Sequence, residues 1–119
     1  MRVLICDDEQ DIRLLYRTAF EREGSVVCLA RDGDECVKLA DELHPDLVVL
    51  DIMMPVRDGF SALAELHQRW PQTHVLVVSA YASAQNVDHA RGMGADDCFD
   101  KIDFLWRIPS LVARYEPAA

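Results

Sequence analysis

Short apolar runs alternate with amphipathic stretches along the chain, and this alternation is what most constrains the fold. Five runs predict strands because each is rich in apolar residues and bounded by turn or acidic residues; they cover residues 2–6, 26–30, 46–51, 74–79 and 97–100. Between them, apolar residues recur at helical spacing. Strands that alternate with helices form a parallel sheet covered on both faces, so the sequence predicts an α/β fold.

The last helical segment is irregular because a proline lies within it. Apolar residues from Phe104 to Tyr115 follow a helical pattern that Pro109 interrupts. Proline lacks a backbone N–H and fits only the first turn of a helix without disturbing it. The last helix is therefore expected to be short or kinked, and of the two we favour a start near Ile108.

Size and charge limit the classes of function. The chain has 119 residues, and we expect residues 1–119 to form a single domain. A formal charge of −9 argues against binding of nucleic acid or anionic lipid through this domain. No apolar stretch is long enough to cross a membrane, and a strand that begins at residue 2 leaves no room for a signal peptide. These features favour a cytoplasmic protein.

The cysteines carry no metal or redox motif. None of the four, Cys6, Cys28, Cys36 and Cys98, forms a C-x-x-C pair. Three of them fall in predicted strands, where a reduced cysteine packs as a small apolar residue. We therefore expect the cysteines to be reduced.

Acidic residues stand at the ends of two predicted strands. Asp7 and Asp8 directly follow the first strand, and Asp51 ends the third. The carboxyl ends of parallel strands meet at one edge of a sheet, where ligands bind. Crowded carboxylates are unfavourable unless a cation or a proton joins them. The sequence therefore predicts a site for a hard divalent cation with oxygen ligands at this edge of the sheet.

Two further strand ends supply groups suited to an anion. The fourth strand ends at Ser79, and Lys101 follows the fifth. A hydroxyl and an ammonium at the same edge would hold the oxygens of a phosphoryl group. An aspartate carboxylate can attack phosphorus to give an acyl phosphate, and this transfer needs little beyond positioning and charge neutralisation. Asp51 is therefore the candidate acceptor.

These residues, in this order and spacing, resemble the receiver domain of bacterial response regulators in two-component signalling. The matching segments are Asp7-Asp8-Glu9, Asp51 to Pro55 followed by Asp58-Gly59, Ser79-Ala80, Gly94 to Asp97, and Lys101. The resemblance implies a flavodoxin-like, doubly wound sheet of five parallel strands in the order 2-1-3-4-5, with helices on both faces.

The resemblance also implies roles for the site residues. Asp51 would accept a phosphoryl group from a sensor histidine kinase or a histidine phosphotransfer protein. Mg²⁺ would be ligated by Asp8, Asp51 and the Met53 backbone carbonyl, with Asp7 acting through a bound water, while Ser79 and Lys101 would hold the phosphoryl oxygens. Movement of Ser79 would change the surface of the fourth helix, fifth strand and fifth helix, which is also a candidate homodimer interface. Such a protein phosphorylates and dephosphorylates itself as a switch rather than acting as a turnover enzyme.

Two positions depart from the family pattern. Cys98 stands where the family usually carries an aromatic switch residue, and neighbouring Phe99 points to the opposite face of the strand. Ile102 follows Lys101 where the family usually has a proline joined by a cis bond. A cis bond before a non-proline residue costs about 2.5–4 kcal/mol, so we predict a trans bond and a shifted loop.

Four smaller expectations concern the surroundings of the site. Tyr81 and Met53 are placed to limit access of a hydrolytic water to Asp51, which predicts a long-lived phosphoryl group. Asp58-Gly59 predicts a turn with glycine at positive φ. Glu9 is expected to favour the start of the first helix rather than to bind metal. The charged face of that helix, with Arg13 and Arg17, is a hypothetical docking surface for the kinase.

Two other classes of function compete with this one. A receiver-like interaction module that works without phosphate stays open, because Cys98 and Ile102 fall in the switch region. An Mg²⁺-dependent phosphatase or phosphomutase is set aside, because such enzymes typically carry a second carboxylate two residues after the nucleophile. That position is Met53 here.

Overall fold

A computed structural model describes residues 1–80 and 83–118, in which strands and helices alternate. The strands are β1 (Arg2–Cys6), β2 (Val26–Ala30), β3 (Leu47–Asp51), β4 (His74–Ser79) and β5 (Asp97–Asp100). The helices are α1 (Gln10–Arg22), α2 (Gly33–Leu43), α3 (Gly59–Arg69), α4 (Ala84–Gly92) and α5 (Lys101–Tyr115). The predicted strands match these, except that β3 begins one residue later than predicted. None of the helices among the described residues is long and apolar enough for a membrane crossing.

The strands form one parallel sheet in the order β2-β1-β3-β4-β5, as the resemblance implied. Every residue of β3 is buried, because the strand is central and helices cover both faces of the sheet. Cys6 pairs in register with Leu50. The residues that come next, Asp7 and Asp51, therefore reach the same level at the carboxyl edge.

Two apolar layers hold the helices to the sheet. One lies beneath α2, α3 and α4 and includes Cys98, while the other lies beneath α1 and α5 and packs against Phe99. Neighbouring residues of β5 thus point into opposite layers, as predicted. Phe99 packs against Phe104 with ring centroids 5.5 Å apart, so its ring belongs to the α5 side.

Helix α5 begins at Lys101, directly after β5, so the predicted start near Ile108 was wrong. Asp100 caps the helix, because its Oδ1 accepts hydrogen bonds from the N–H groups of Ile102 and Asp103 at 2.9 and 3.3 Å. The Lys101–Ile102 bond is trans, as predicted, and the described residues contain no cis peptide bond. Because α5 follows β5 directly, no loop lies at this position, and the predicted shifted loop was wrong.

Pro109 lies inside α5, which has 15 residues and is not short. Proline in a helix interior costs about 3 kcal/mol, because one hydrogen bond is lost and the ring meets the preceding turn. Four apolar side chains of the helix are buried against the sheet: Phe104, Ile108, Leu111 and Val112. At about 1.5–3 kcal/mol each, their burial outweighs the proline.

Cys6 and Cys36 form a disulfide, so the expectation of reduced cysteines was wrong for this pair. Their Cα atoms lie 5.9 Å apart, within the range that a disulfide spans. The two residues are 30 positions apart, and they meet because α2 packs over the end of β1. Cys28 and Cys98 are free thiols.

Val56, in the connection between β3 and α3, has a strained backbone. Its φ is 71°, a region that is unfavourable by about 1–2 kcal/mol for L-residues and is especially unusual for β-branched ones. The side chain is 83% exposed, so packing does not offset this strain.

We expect Val56→Gly to raise the free energy of unfolding by about 0.5–1 kcal/mol, after allowing for the greater entropy of unfolded glycine. Urea denaturation measures this, with Val56→Ala as a control that keeps a Cβ at positive φ and should gain less. A glycine variant less stable than the wild type would contradict the assignment of strain.

Candidate functional site

Three carboxylates meet where β1 and β3 end. Oxygen atoms of Asp7, Asp8 and Asp51 all lie within 4.8 Å of one another. Asp7 and Asp51 are 1% and 0% exposed, whereas Asp8 is at the surface. The parallel register that aligns the ends of β1 and β3 brings these residues together at the edge expected from the sequence.

The two buried carboxylates hold their protons more tightly than ordinary aspartates. Burial raises the pKa of Asp51 from 3.8 to about 6, and the charge of Asp7 adds to the rise, while a hydrogen bond from the Met53 N–H at 2.9 Å and the charge of Lys101 oppose it. Burial likewise raises the pKa of Asp7, against a 2.9 Å hydrogen bond from the Glu9 N–H and the charge of Lys101. The ionised cluster is therefore short of positive charge.

Lys101 provides the cation among the described residues of the cluster. Its Nζ lies 2.8 Å from Glu9 Oε1 and 3.2 Å from both Asp7 Oδ2 and Asp51 Oδ2. Burial alone would lower the pKa of this lysine, but Glu9, Asp51 and Asp7 together raise it above 10.5. The side chain is therefore a charged ammonium at neutral pH.

Glu9 has a role that the sequence did not reveal. It occupies the N-cap position of α1, yet its side chain makes no capping hydrogen bond. The carboxylate binds Lys101 instead. The expectation that Glu9 serves mainly to start the helix was therefore incomplete, because its closest side-chain partner lies 92 residues away.

The cluster suits an oxygen-ligated divalent cation. Asp7 Oδ2 is buried and accepts no hydrogen bond from the residues described, although Lys101 Nζ is 3.2 Å away. Three carboxylates that converge around one ammonium, with a buried oxygen that accepts no hydrogen bond, form the type of ligand set that Mg²⁺ prefers. The residues present therefore fit such an ion.

The other predicted residues surround this cluster without all joining it. Ser79 is buried at the end of β4, the strand next to β3. Cys98 is not in the cluster, because it packs in the apolar layer on the α4 side, where burial raises the pKa of its thiol. The Met53 side chain is 66% exposed. Tyr81 lies outside the described residues.

Gly59 is required by a close approach and not by the positive φ that the sequence suggested. Asp58 caps α3 by accepting a hydrogen bond from the Ser61 N–H at 2.9 Å, and Gly59 is the first helical residue. The Gly59 N–H donates to the Ile52 carbonyl at 3.1 Å. A Cβ on Gly59 would overlap Ile52 Cα and the Asp51 carbonyl oxygen, so only glycine lets α3 start against this backbone.

Two more α1 residues support the site and were missed. Arg13 Nη1 donates to the Asp7 carbonyl at 2.7 Å, and the Tyr16 hydroxyl donates to the Lys101 carbonyl at 2.6 Å. The sequence pointed to Arg13 only as part of a hypothetical docking surface. The available signal was spacing, because residues 9, 13 and 16 recur on one side of a helix.

Comparison with known proteins points to one family. The sequence matches the response regulator receiver domain over residues 3–105. It is 38% identical to the regulatory protein AtoC of Escherichia coli across 81% of this chain and 21% of AtoC. It is 34% identical to the alkaline phosphatase synthesis transcriptional regulatory protein PhoP of Bacillus subtilis across 99% of this chain and 51% of PhoP. The chain therefore spans about half the length of PhoP and about a fifth of the length of AtoC. It is 33% identical to the chemotaxis protein CheY of Halobacterium salinarum across 84% of this chain and 83% of CheY.

Solved structures show the same architecture. The receiver domain of NtrX from Brucella abortus superimposes with a TM-score of 0.87 at 29% identity, covering 95% of this chain and 96% of that one. The Francisella response regulator 1452 receiver domain gives a TM-score of 0.82 at 32% identity, covering 95% of this chain and 97% of that one.

Proposed function

Because the chain belongs to the response regulator receiver domain family, we propose that it is a phosphorylation-activated signalling switch whose Asp51 accepts a phosphoryl group. The observation that carries this proposal is the cluster in which buried Asp51 lies beside Asp7, Asp8 and the ammonium of Lys101. We further propose that residues 1–119 act as one receiver domain.

The acceptor step follows from the chemistry of these side chains. A carboxylate oxygen of Asp51 attacks phosphorus, and its new O–P bond forms as the N–P bond of the donor phosphohistidine breaks. The leaving imidazole carries the electron pair of that bond and takes a proton from solvent. Lys101 Nζ, 3.2 Å from Asp51 Oδ2, then has a phosphoryl oxygen as a partner, with the Ser79 hydroxyl on the neighbouring strand end. Later attack by water on phosphorus releases phosphate and restores the carboxylate.

We propose that Mg²⁺ is the resident cation. Asp8, Asp51 and the Met53 carbonyl would hold it, and Asp7 would act through a bound water. When bound, the ion would neutralise charge on the transferring phosphoryl oxygens. Asp7 Oδ2 accepts no hydrogen bond from the described residues and has only its ion pair with Lys101 Nζ at 3.2 Å, which supports a further cation at this place.

We propose that the donor is a sensor histidine kinase or a histidine phosphotransfer protein that docks on α1. Arg13 is a poor probe of this contact, because it is committed to the Asp7 carbonyl. Arg17 is the better probe, because it is half exposed and pairs only with Glu21 among the described residues.

We propose that the output surface, and any homodimer interface, involves α4, β5 and α5, with no nucleic acid bound by this domain.

Intact mass spectrometry tests the acceptor assignment. After incubation with Mg²⁺ and acetyl phosphate, we expect the wild type to gain one phosphoryl group and Asp51→Asn to gain none. Asp58→Asn is the matched control, because it makes the same change at the exposed cap of α3 and asparagine also caps helices. Phosphorylation of Asp51→Asn would refute the assignment.

A phosphate-independent interaction module is the second candidate. It is favoured by Cys98, which is buried where the family usually carries an aromatic switch residue. A wild type that neither binds Mg²⁺ nor gains phosphate from acetyl phosphate or a phosphorylated kinase would support this second function.

A further inference from the structure

We propose that Glu9 is a positioning residue that holds the Lys101 ammonium at the rim of the acidic cluster and thereby frees Asp7 and Asp51 for a divalent cation. This inference rests on the proposed Mg²⁺ site. It assigns to Glu9 an effect on cation affinity that acts through Lys101.

The contact distances rank the three partners of the ammonium. Glu9 Oε1 is 2.8 Å from Nζ, whereas Asp7 Oδ2 and Asp51 Oδ2 are each 3.2 Å away. Charge-assisted N–H···O bonds of full strength measure about 2.7–2.9 Å, so only the Glu9 contact lies in that range. The Glu9 side chain is also 58% exposed, which places this contact on the solvent side of the cluster.

A divalent cation and the ammonium compete for the same oxygens. The cation site draws on the carboxylates of Asp7 and Asp51, and Nζ contacts Oδ2 of both. The Lys101 side chain is only 10% exposed. If the cation displaced its ammonium from both aspartates and no other partner were present, a nearly buried charge would be left unpaired, and this cost would oppose cation binding. Glu9 keeps one partner available and so lowers the free energy of that displacement.

The surrounding backbone is fixed, so the exchange needs only side-chain movement. The Tyr16 hydroxyl holds the Lys101 carbonyl at 2.6 Å, and Arg13 holds the Asp7 carbonyl at 2.7 Å. The Glu9 backbone is also engaged, because its N–H donates to Asp7 Oδ1 and its carbonyl accepts from the Arg13 N–H. The Glu9 carboxylate is therefore left for Lys101.

Isothermal titration with Mg²⁺ tests the proposal directly on the unphosphorylated protein. We expect Glu9→Gln to weaken Mg²⁺ binding about tenfold, because Lys101 then competes fully for Asp7 and Asp51. Asp11→Asn is the control for the loss of one charge, since Asp11 is exposed in the first turn of α1 and should change affinity less than about threefold.

Two further variants separate positioning from simple charge. Glu9→Asp keeps the charge but shortens the side chain, so we expect it to weaken binding almost as much as Glu9→Gln; wild-type affinity in Glu9→Asp would overturn the proposal. In a Lys101→Met background, Glu9→Gln should change affinity less than about threefold, and an undiminished tenfold effect would also overturn it.

The result also distinguishes this inference from the proposed function. Wild-type Mg²⁺ binding with an unchanged Glu9→Gln affinity would reject the role of Glu9 alone. Absence of Mg²⁺ binding by the wild type would reject both the cation site and the role of Glu9, while phosphorylation of Asp51 is measured separately by mass.

Discussion

Lys101→Met is expected to lower the free energy of unfolding by about 3 kcal/mol at pH 7 without divalent cations. Methionine retains most of the apolar stem, so the loss comes from the charge. The ammonium lies 3.2 Å from buried Asp7 and 3.2 Å from buried Asp51. Removal of one partner from a buried ion pair costs about 3–5 kcal/mol, because the other charge is left uncompensated. Exposed Glu9 regains water and contributes little to this loss.

The destabilisation should depend on pH with a defined sign. Lys101 lowers the pKa of Asp7 and Asp51, so its removal raises both further above their unfolded values. A carboxyl group whose folded pKa is raised contributes most stability when protonated and loses it as pH rises through the folded pKa. The deficit of Lys101→Met is therefore expected to shrink from pH 7 to pH 5, and Mg²⁺ should also reduce it.

Urea denaturation at the two pH values measures this effect. Lys38→Met is the matched control, because Lys38 is exposed on α2 and its replacement should change stability by less than about 0.5 kcal/mol. Equal stability of the two variants at pH 7 would mean that Lys101 does not neutralise the buried cluster.

The acidic cluster was accessible from the sequence because its signals are local. An apolar run that ends in Asp7-Asp8, and another that ends in Asp51, mark strand ends whose sheet edge follows from parallel pairing. Lys101 was found for the same reason. The role of Tyr16 was not, since it depends on how α1 lies across the junction of β5 and α5. That placement results from packing of distant segments, which a local pattern does not record.

The errors have the same origin. Pro109 is a strong local signal against a helix, but the Asp100 cap and burial of Phe104 and Ile108 decide the start of α5. Gly59 was predicted to supply a positive φ, which was wrong, because the residue meets a close approach instead. Whether a glycine supplies a positive φ or a close approach is settled only by the backbone it meets.

Charge balance around Asp51 leads to an expectation opposite in sign to that for Lys101. The pKa of Asp51 is about 6 although Lys101 and the Met53 N–H both lower it, so burial and Asp7 outweigh their support. At neutral pH the ionised carboxylate therefore opposes folding. The negative charge that phosphoryl acceptance needs therefore lowers the free energy of unfolding of the protein.

Asp51→Asn is thus expected to raise the free energy of unfolding by about 3 kcal/mol at pH 7 in the absence of divalent cations, since a pKa near 6 lies about two units above 3.8 and each unit corresponds to about 1.4 kcal/mol. Asparagine has the same shape and its oxygen can still accept from the Met53 N–H. The gain should be close to zero near pH 4, where Asp51 is protonated in the folded state, and should reach its full size as pH rises above 6. Urea denaturation from pH 4 to pH 8 measures it.

Mg²⁺ should narrow this difference in stability and, at concentrations above roughly 150 times Kd, reverse it. A ligand that binds only the folded protein stabilises it by RT ln(1 + [L]/Kd), and the wild type retains the carboxylate that Asp51→Asn lacks. Asp58→Asn, which makes the same substitution at an exposed cap, should follow the wild type at every pH and Mg²⁺ concentration. If Asp51→Asn were less stable than the wild type at pH 7 without Mg²⁺, the attraction between Asp51 and Lys101 would exceed the effect of burial. The cluster would then be a structural ion pair, and the argument that it lacks a cation would fail.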